Sequence, residues 1–424
     1  MAFYVAGWLG LLLAGMPIAF TLGVIGYLFL WIEGGSMVSS PQRLFAGLDS
    51  FPLLAVPAFV LAGELMNTGG ITTRIFKFSR VLVGHISGGL GHVNVVANVI
   101  MSGISGSALA DAAGIGTLII KEMKKQGFDA PFAGSLTAAA CILGPLIPPS
   151  IILVIYAVTA SASAGRLLIA GTVPGVLTAI ALMIYVYFIS KKRGYPRYER
   201  ATKSEIWIAF KEAWLAILAP FVIMGGIVAG IFTATECAAV AAVYALVLGL
   251  FIYKELSWSD LPRIFRDSAM TTAVIGMIVA CANLTTWILT REQVPQHLAD
   301  ALLSFSDKPW VILLLINILL LVLGCFMEGM AIMILTVPVL LPVVLKLGID
   351  PVHFGVVMVM NLMIGLLTPP FGMALFVVAR VGDIPFTDLA KAILPFIPPL
   401  LIVLAIITFI PEVVLFLPRL FYGN

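Results

Sequence analysis

Long apolar runs separated by short polar clusters dominate the chain, near residues 1–32, 51–66, 93–120, 130–160, 168–190, 207–252, 268–290, 309–345, 352–379 and 390–418. The runs are continuous and rich in Leu, Ile, Val, Ala and Gly, whereas a membrane β-barrel alternates apolar and polar positions in segments of about ten. A helical crossing takes about 20 residues. The pattern therefore predicts an all-α polytopic membrane protein with roughly ten to twelve crossings. The opening run has no Lys or Arg ahead of it and exceeds a signal-peptide core, so it is expected to stay as the first span. The runs at 93–120 and 309–345 are too long for one comfortable crossing and predict re-entrant helical hairpins.

Composition narrows the class further. Of 424 residues 61% are hydrophobic and 11% charged, against roughly a quarter charged in soluble domains, which excludes a soluble enzyme. A net charge of +3 is too small to imply nucleic acid as a partner. Basic residues concentrate at 191–211, which the positive-inside rule assigns to the cytoplasm. Cys141, Cys237, Cys281 and Cys325 lie singly in apolar runs and read as packing residues. His85, His92, His297 and His353 show no ligand spacing and read as interfacial.

The two halves share a register. Gly127 and Gly348 differ by 221, as do Asp129 and Asp350, Gly134 and Gly355, Gly144 and Gly365, Pro148 and Pro369, Pro174 and Pro395, and Gly103 and Gly324. Charge around the equivalent segments is reversed: Arg74, Lys77, Arg80, Lys121, Lys124 and Lys125 in the first have little beyond Arg291 and Lys346 as counterparts. Beyond the prolines Arg166 stands against Arg380 and Lys391. That reversal predicts inverted repeats, the plan of secondary transporters that alternate access around a midplane site.

Four motifs sit at membrane depth. In SGISGSALADAAGIG (102–116), Gly103 and Gly106 permit a sharp turn, and the hydroxyls of Ser102, Ser105 and Ser107 with freed carbonyls offer hard oxygen ligands to a small cation, with Asp111 nearby. The same small residues also suit a helix-packing face. GPLIPPS (144–150) and GLLTPPFG (365–372) place double prolines inside apolar spans, predicting two discontinuous helices with free carbonyls and half-helix ends at the breaks. In GCFMEGMA (324–331), Glu328 falls at the second hairpin turn as a cation ligand, a proton carrier or a pairing group. Glu64, Asn94, Asn283 and Asn317 read as glue between helices, and Glu236 as a buried pairing group or a gate. Neither an HExxH pair, a Walker loop nor a membrane-protease dyad is present. The chain is thus not expected to hydrolyse ATP, and coupling to an ion gradient is the economical expectation.

On these motifs, with GLDSFPLLAVPAFVLAGELM (47–66) and GIFTATECAAVAAVYAL (230–246), nearly the whole sequence resembles the large membrane subunit of tripartite ATP-independent periplasmic (TRAP) transporters, which handle C4-dicarboxylates and sialic acid. The resemblance implies a bacterial inner-membrane Na+ symporter in which a transport domain moves against a scaffold like an elevator. It also implies a small four-helix membrane subunit, expected on a separate polypeptide since this chain opens at its first span, and a soluble periplasmic binding protein that delivers the organic acid. Residues 1–90 would form the first scaffold helices and arm. The first transport repeat would take 91–180 (hairpin 93–120, broken helix 130–160), and a cytoplasmic linker 181–213. The second scaffold helices and arm would occupy 214–308, and the second transport repeat 309–424 (hairpin 309–345, broken helix 352–379).

Carried over by motif, the first Na+ site would use Ser102, Gly103, Ser105 or Ser107 with carbonyls near Gly144 and Pro145, and the second Gly324 to Glu328 with Gly365, Thr368 and Pro369. Ser107, Asp111, Asn98 and Asn361 are the candidates for substrate contact. No Arg stands at either hairpin to pair a substrate carboxylate, leaving half-helix dipoles and Na+ for that role. Two other functions fit the residues: a stand-alone carrier of citrate-like or dicarboxylate anions, and, remotely, an intramembrane enzyme using Asp111 and Glu328.

Overall fold

The computed structural model describes residues 7–8, 10–11, 14–33, 37–306, 308–369 and 372–423. Among them the secondary structure is helical throughout, with no strand. Seven helices or helix pairs are long and apolar enough to cross a membrane: Phe51–Thr68, Ala164–Arg193, Lys203–Val228, Ala234–Ile252, Leu261–Arg291, Gly329–Lys346 and Phe386–Phe409. The apolar helices that remain are shorter, as expected where prolines and glycines interrupt the runs.

The first half runs through α1 (Ile18–Ile32), α2 (Ser39–Leu48), α3 (Ala55–Thr68) and α4 (Ile71–Val83) to α5 (Gly89–Ser105). Then follow the short α6 (Ala108–Ala113), α7 (Ile115–Lys125), α8 (Ala130–Cys141), α9 (Ile151–Thr159), α10 (Ala164–Ala170) and α11 (Thr172–Arg193). The second half has α12 (Lys203–Val228), α13 (Ala234–Val247), α14 (Leu261–Arg291), α15 (Val294–Phe305), α16 (Pro309–Gly324) and α17 (Gly329–Lys346). It ends with α18 (Pro351–Gly365), α19 (Met373–Gly382), α20 (Phe386–Ile393), α21 (Ile397–Phe409) and α22 (Pro411–Tyr422).

Helix boundaries obey the register of the sequence. At the 221-residue offset, the 108–125 segment falls on Gly329–Lys346 and the start of α8 on the start of α18. In the first half α5 and α7 pack on each other and on α8; in the second, α16 and α17 do the same with α18. Around these units α1 and α2 pack on α14, α3 on α13, and α4 on α12. The breaks expected in 130–160 and 352–379 lie between α8 and α9 and between α18 and α19. Pro370 and Phe371 of the second lie outside the described residues. Tyr156 joins the halves: its hydroxyl donates to the Pro351 carbonyl at 2.8 Å, and its ring lies so close to Gly355 that a Cβ there would be 2.5 Å from Cε1.

Two segments gain detail and two expectations change. Of the linker 181–213, only the stretch 194–202 lies outside helices. The reason is local: α11 runs on to its basic last turn and stops where Gly194 takes a φ of +68°, and α12 opens on a capping box between Thr202 and Glu205. The run 207–252 is two helices, broken at Gly230 with φ +67°. Glu236 is exposed rather than buried and closes a second capping box, its Oε2 accepting the Thr233 N–H at 2.8 Å. His92 and His353 are buried rather than interfacial, and His353 Nε2 lies 2.8 Å from the Ile407 carbonyl, which satisfies it inside the bundle.

Candidate functional site

The turn between α5 and α6 is built by Gly106, whose φ of +63° lets α5 stop abruptly, and by Ser107, which begins α6. Ser105 Oγ donates to Asp111 Oδ1 at 2.5 Å. Asp111 is fully buried, and its other oxygen, Oδ2, has no hydrogen-bond partner. That oxygen faces the break between α8 and α9: a Cβ on Gly144 would stand 2.7 Å from Asp111 Oδ2 and 3.2 Å from the Ser107 carbonyl carbon. One on Gly106 would stand 2.5 Å from the Pro149 oxygen. The first turn and the first break are therefore stacked, with glycine on both sides because nothing larger fits.

Neighbouring polar groups fix this arrangement. Ser150 caps α9 by accepting the Leu153 N–H at 3.2 Å and donates its hydroxyl to the Pro145 carbonyl at 2.5 Å, holding the break in shape. Ser102 Oγ donates to the Val99 carbonyl at 2.6 Å. Gly103 lies under Pro220 of α12, where a Cβ would be 2.5 Å from Cγ, and Gly63 of α3 lies against Ser105. Asn98 Nδ2 donates to both oxygens of Asn94 at 2.9 Å, and Asn94 Nδ2 donates to Thr137 Oγ1 at 2.7 Å. Asn98 Oδ1 is left buried and unpartnered.

The second turn is similar in register and different in chemistry. Glu328 occupies the position equivalent to Ser107 and likewise caps its helix, Oε2 accepting the Ala331 N–H at 3.1 Å. To the three roles read from sequence the structure adds this one, a helix cap. Gly324 and Gly365 meet backbone to backbone: a Cβ on Gly365 would lie 2.6 Å from the Gly324 Cα. Thr368 donates its N–H to the Gly365 carbonyl at 2.9 Å and its hydroxyl to the Ile364 carbonyl at 2.8 Å, next to half-buried Pro369. Asn361 Nδ2 donates to Asn317 Oδ1 at 2.8 Å, Asn317 Nδ2 to Thr408 Oγ1 at 2.9 Å, and Asn361 Oδ1 is buried and unpartnered. Asn94 and Asn317 thus join helices, as the sequence predicts.

The first turn brings together Ser105, Ser107, Asp111 and Gly144, with Ser150 holding Pro145; Ser102 and Gly103 lie one turn back along α5. Ser150, Thr137, Gly63 and Pro220 were missed as supporting residues; of these only Ser150, standing directly after two prolines, carried a local signal. Among the described residues no three His, Cys, Asp or Glu side chains gather as a metal group. The donors at hand are hydroxyls, carbonyls and one carboxylate oxygen lacking a partner, a set suited to a hard cation.

Glu328 yields a prediction that separates its readings. Glu328→Ala removes the cap and is expected to destabilise α17 by about 0.5–2 kcal/mol, whereas Glu328→Gln keeps an acceptor for the Ala331 N–H. Thermal melting of both variants with ion-dependent uptake decides: Gln matching wild type in both makes the cap sufficient, and Gln stable but altered in ion dependence makes the charge a ligand.

Comparison with known proteins matches this architecture. Residues 5–413 match the family model described as the tripartite ATP-independent periplasmic transporter, DctM component. The chain is 52% identical over 98% of both lengths to the sialic acid TRAP transporter large permease protein SiaM of Vibrio cholerae. It is 38% identical over 97% of both lengths to the C4-dicarboxylate TRAP transporter large permease protein DctM of Rhodobacter capsulatus. The fold is similar to that of the YdaH transporter of Alcanivorax borkumensis, with a TM-score of 0.63 at 15% identity over 86% of each chain. This multi-pass membrane protein belongs to the DctM family of TRAP transporter large permeases, a family of transporters rather than enzymes.

Proposed function

We propose that this permease takes up an organic acid by Na+ symport, receiving it from a soluble periplasmic binding protein and working beside a small membrane subunit in the bacterial inner membrane. Sialic acid is the preferred cargo, because the relative named for it shares 52% identity against 38% for the dicarboxylate permease; a C4-dicarboxylate is the second reading. In this reading residues 91–180 and 309–424 form the transport domain, with the two turns as re-entrant hairpins. The remaining helices form the scaffold, and the loaded domain crosses as an elevator. The domain limits 1–90, 91–180, 181–213, 214–308 and 309–424 describe that division.

The observation that carries the reading is Asp111 Oδ2, buried and unpartnered against Gly144. A lone carboxylate at membrane depth is expensive unless a cation meets it. We assign the first Na+ to the space shared by Ser105, Asp111 and the carbonyls near Gly144 and Pro145, with Ser102 and Gly103 behind it. The second goes to Gly324, Gly365, Thr368 and Pro369, near Glu328. Asp111 therefore serves the cation, since its charge would repel an organic anion. Asn98 and Asn361 offer their free acceptor oxygens to cargo hydroxyls, and Ser107 to the cargo between the hairpins. When bound, Na+ supplies positive charge to the turn and offsets the cargo's carboxylate; Gly106, Ser107 and Ser150 hold the backbone that receives both.

Linkage gives the test. Na+ that binds only the ordered turn raises cargo affinity by the same factor by which cargo raises Na+ affinity, typically about 5- to 150-fold. Isothermal titration of sialic acid at rising Na+ concentration, with uptake in proteoliposomes carrying the small subunit and the binding protein, is expected to show both. Cargo affinity indifferent to Na+ overturns the symport, and uptake by this chain alone favours a stand-alone carrier.

A further inference from the structure

In the first transport repeat α5 packs on two helices of the scaffold, α3 and α12. At Gly103 of α5 a Cβ would stand 2.5 Å from Cγ and 2.7 Å from Cβ of Pro220, with the Pro148 carbonyl oxygen of the first break 3.8 Å away. Pro220 is half-buried and lies inside α12, where it removes a backbone hydrogen bond that the helix would otherwise make. Two further glycines mark the same boundary. A Cβ on Gly114, after α6, would stand 2.7 Å from Asn67 Oδ1 of α3, and one on Gly63 of α3 would lie 3.6 Å from the Ser105 Cα. The second turn has no such seat: the atoms nearest to Gly324 and Gly329 belong to Gly365, Leu362, Met363 and Leu366, all within the second transport repeat.

We propose that Gly103 and Pro220 form a detent: the proline ring seats in the glycine notch and holds the transport domain in the position it has here, so that travel begins with Gly103 lifting off the ring. The inference rests on the elevator reading. Its physical basis is that the two residues belong to bodies that move against one another, so the contact exists in one position of the domain and is absent from the other. Proline suits the scaffold side because its ring is rigid, and no rotamer change withdraws Cγ from the notch. Glycine suits the other side because a single methyl would fill the space. The three contacts are graded. Asn67 meets Gly114 with the end of a side chain that can turn aside, and 3.6 Å at Gly63 is ordinary van der Waals contact. Pro220 is thus a positioning residue: it acts through α5, the helix that ends in the first turn.

The test is double electron–electron resonance between spin labels on Lys125→Cys of α7 and Arg266→Cys of α14, both exposed, with the partly buried Cys325 changed to Ser, in liposomes that also hold the small membrane subunit. Recorded without Na+ or cargo, the ratio of positions is independent of ion affinity. Gly103→Ala overpacks one position alone and is expected to move the ratio away from it by about 5- to 140-fold. Gly114→Ala is expected to move it less, and Gly63→Ala hardly at all. Gly134→Ala is the control: its Cβ would lie 2.7 Å from Ile384 and Leu389, inside the transport domain, so it is expected to lower the melting temperature and leave the ratio unchanged. Pro220→Gly removes both contacting atoms and is expected to return the Gly103→Ala protein towards wild type. Alone it empties the notch and is expected to shift the ratio in the same direction as Gly103→Ala, by about fourfold or more, which serves should Gly103→Ala fail to purify. A ratio that ignores these variants, or that Gly134→Ala moves as far, overturns the detent. A single distance that neither Na+ nor sialic acid changes overturns the elevator reading beneath it.

Discussion

Asp111→Asn is expected to raise the Na+ concentration for half-maximal uptake by about a hundredfold or more. The substitution is nearly isosteric, and the Asn carbonyl oxygen can still accept the Ser105 hydroxyl that now lies 2.5 Å from Asp111 Oδ1. What changes is the charge on an oxygen that is buried, unpartnered and held against Gly144. Removing one member of a buried charge pair typically costs about 3–5 kcal/mol, a factor of roughly 10² to several thousand. Ser105→Ala removes a hydrogen bond to that carboxylate and leaves the charge, so it is expected to cost only about 1.5–3 kcal/mol. Uptake against Na+ concentration in proteoliposomes, with melting curves to establish folding, measures both. A folded Asp111→Asn variant with unchanged Na+ dependence would sink the assignment. A variant altered only in cargo affinity would return Asp111 to the substrate.

Which parts of this site the sequence reveals follows from the range of the forces involved. Breaks made by Gly106, Pro148 and Pro149 are legible because steric restriction at glycine and proline acts within a few residues. The register joining Ser107 to Glu328 and Gly144 to Gly365 is legible because a repeat preserves spacing. Glu236 shows the opposite case: Thr233 and Glu236 stand at the spacing of a capping box. The apolar run 207–252 nevertheless reads as continuous, which disguises an exposed helix start as a residue at depth. Contacts made by folding at a distance leave no such trace. Pro220 covers Gly103, Gly63 meets Ser105, and Thr137 accepts from Asn94 only after the helices assemble. His353 follows the same rule, its burial depending on a carbonyl at Ile407.

Gly365→Ala is expected to reduce uptake more than tenfold, while the same substitution at Gly225 leaves it intact. At Gly365 the added methyl would lie 2.6 Å from the Gly324 Cα, 2.9 Å from its carbonyl carbon and 3.1 Å from its oxygen. These are backbone atoms, so no rotamer change relieves the contact; α18 and the end of α16 must separate. Overpacking of this kind costs about 1–3 kcal/mol in well-packed interiors, and here the displaced atoms include the Gly365 carbonyl that Thr368 uses. Both stability and the second ion site are therefore expected to suffer. At Gly225, in the last turn of α12, a Cβ meets nothing within 4 Å. Alanine there gains helix propensity of up to about 1 kcal/mol. Gly324→Ala approaches the same contact from the other side, its Cβ 2.9 Å from the Gly365 Cα. If that backbone approach is what the two glycines serve, the double variant should lose less than the sum of the singles, because helices already parted by one methyl accommodate the second more readily. Melting temperatures and Na+-dependent uptake of the three variants test this; a Gly365→Ala protein that transports like wild type would show that the approach is incidental.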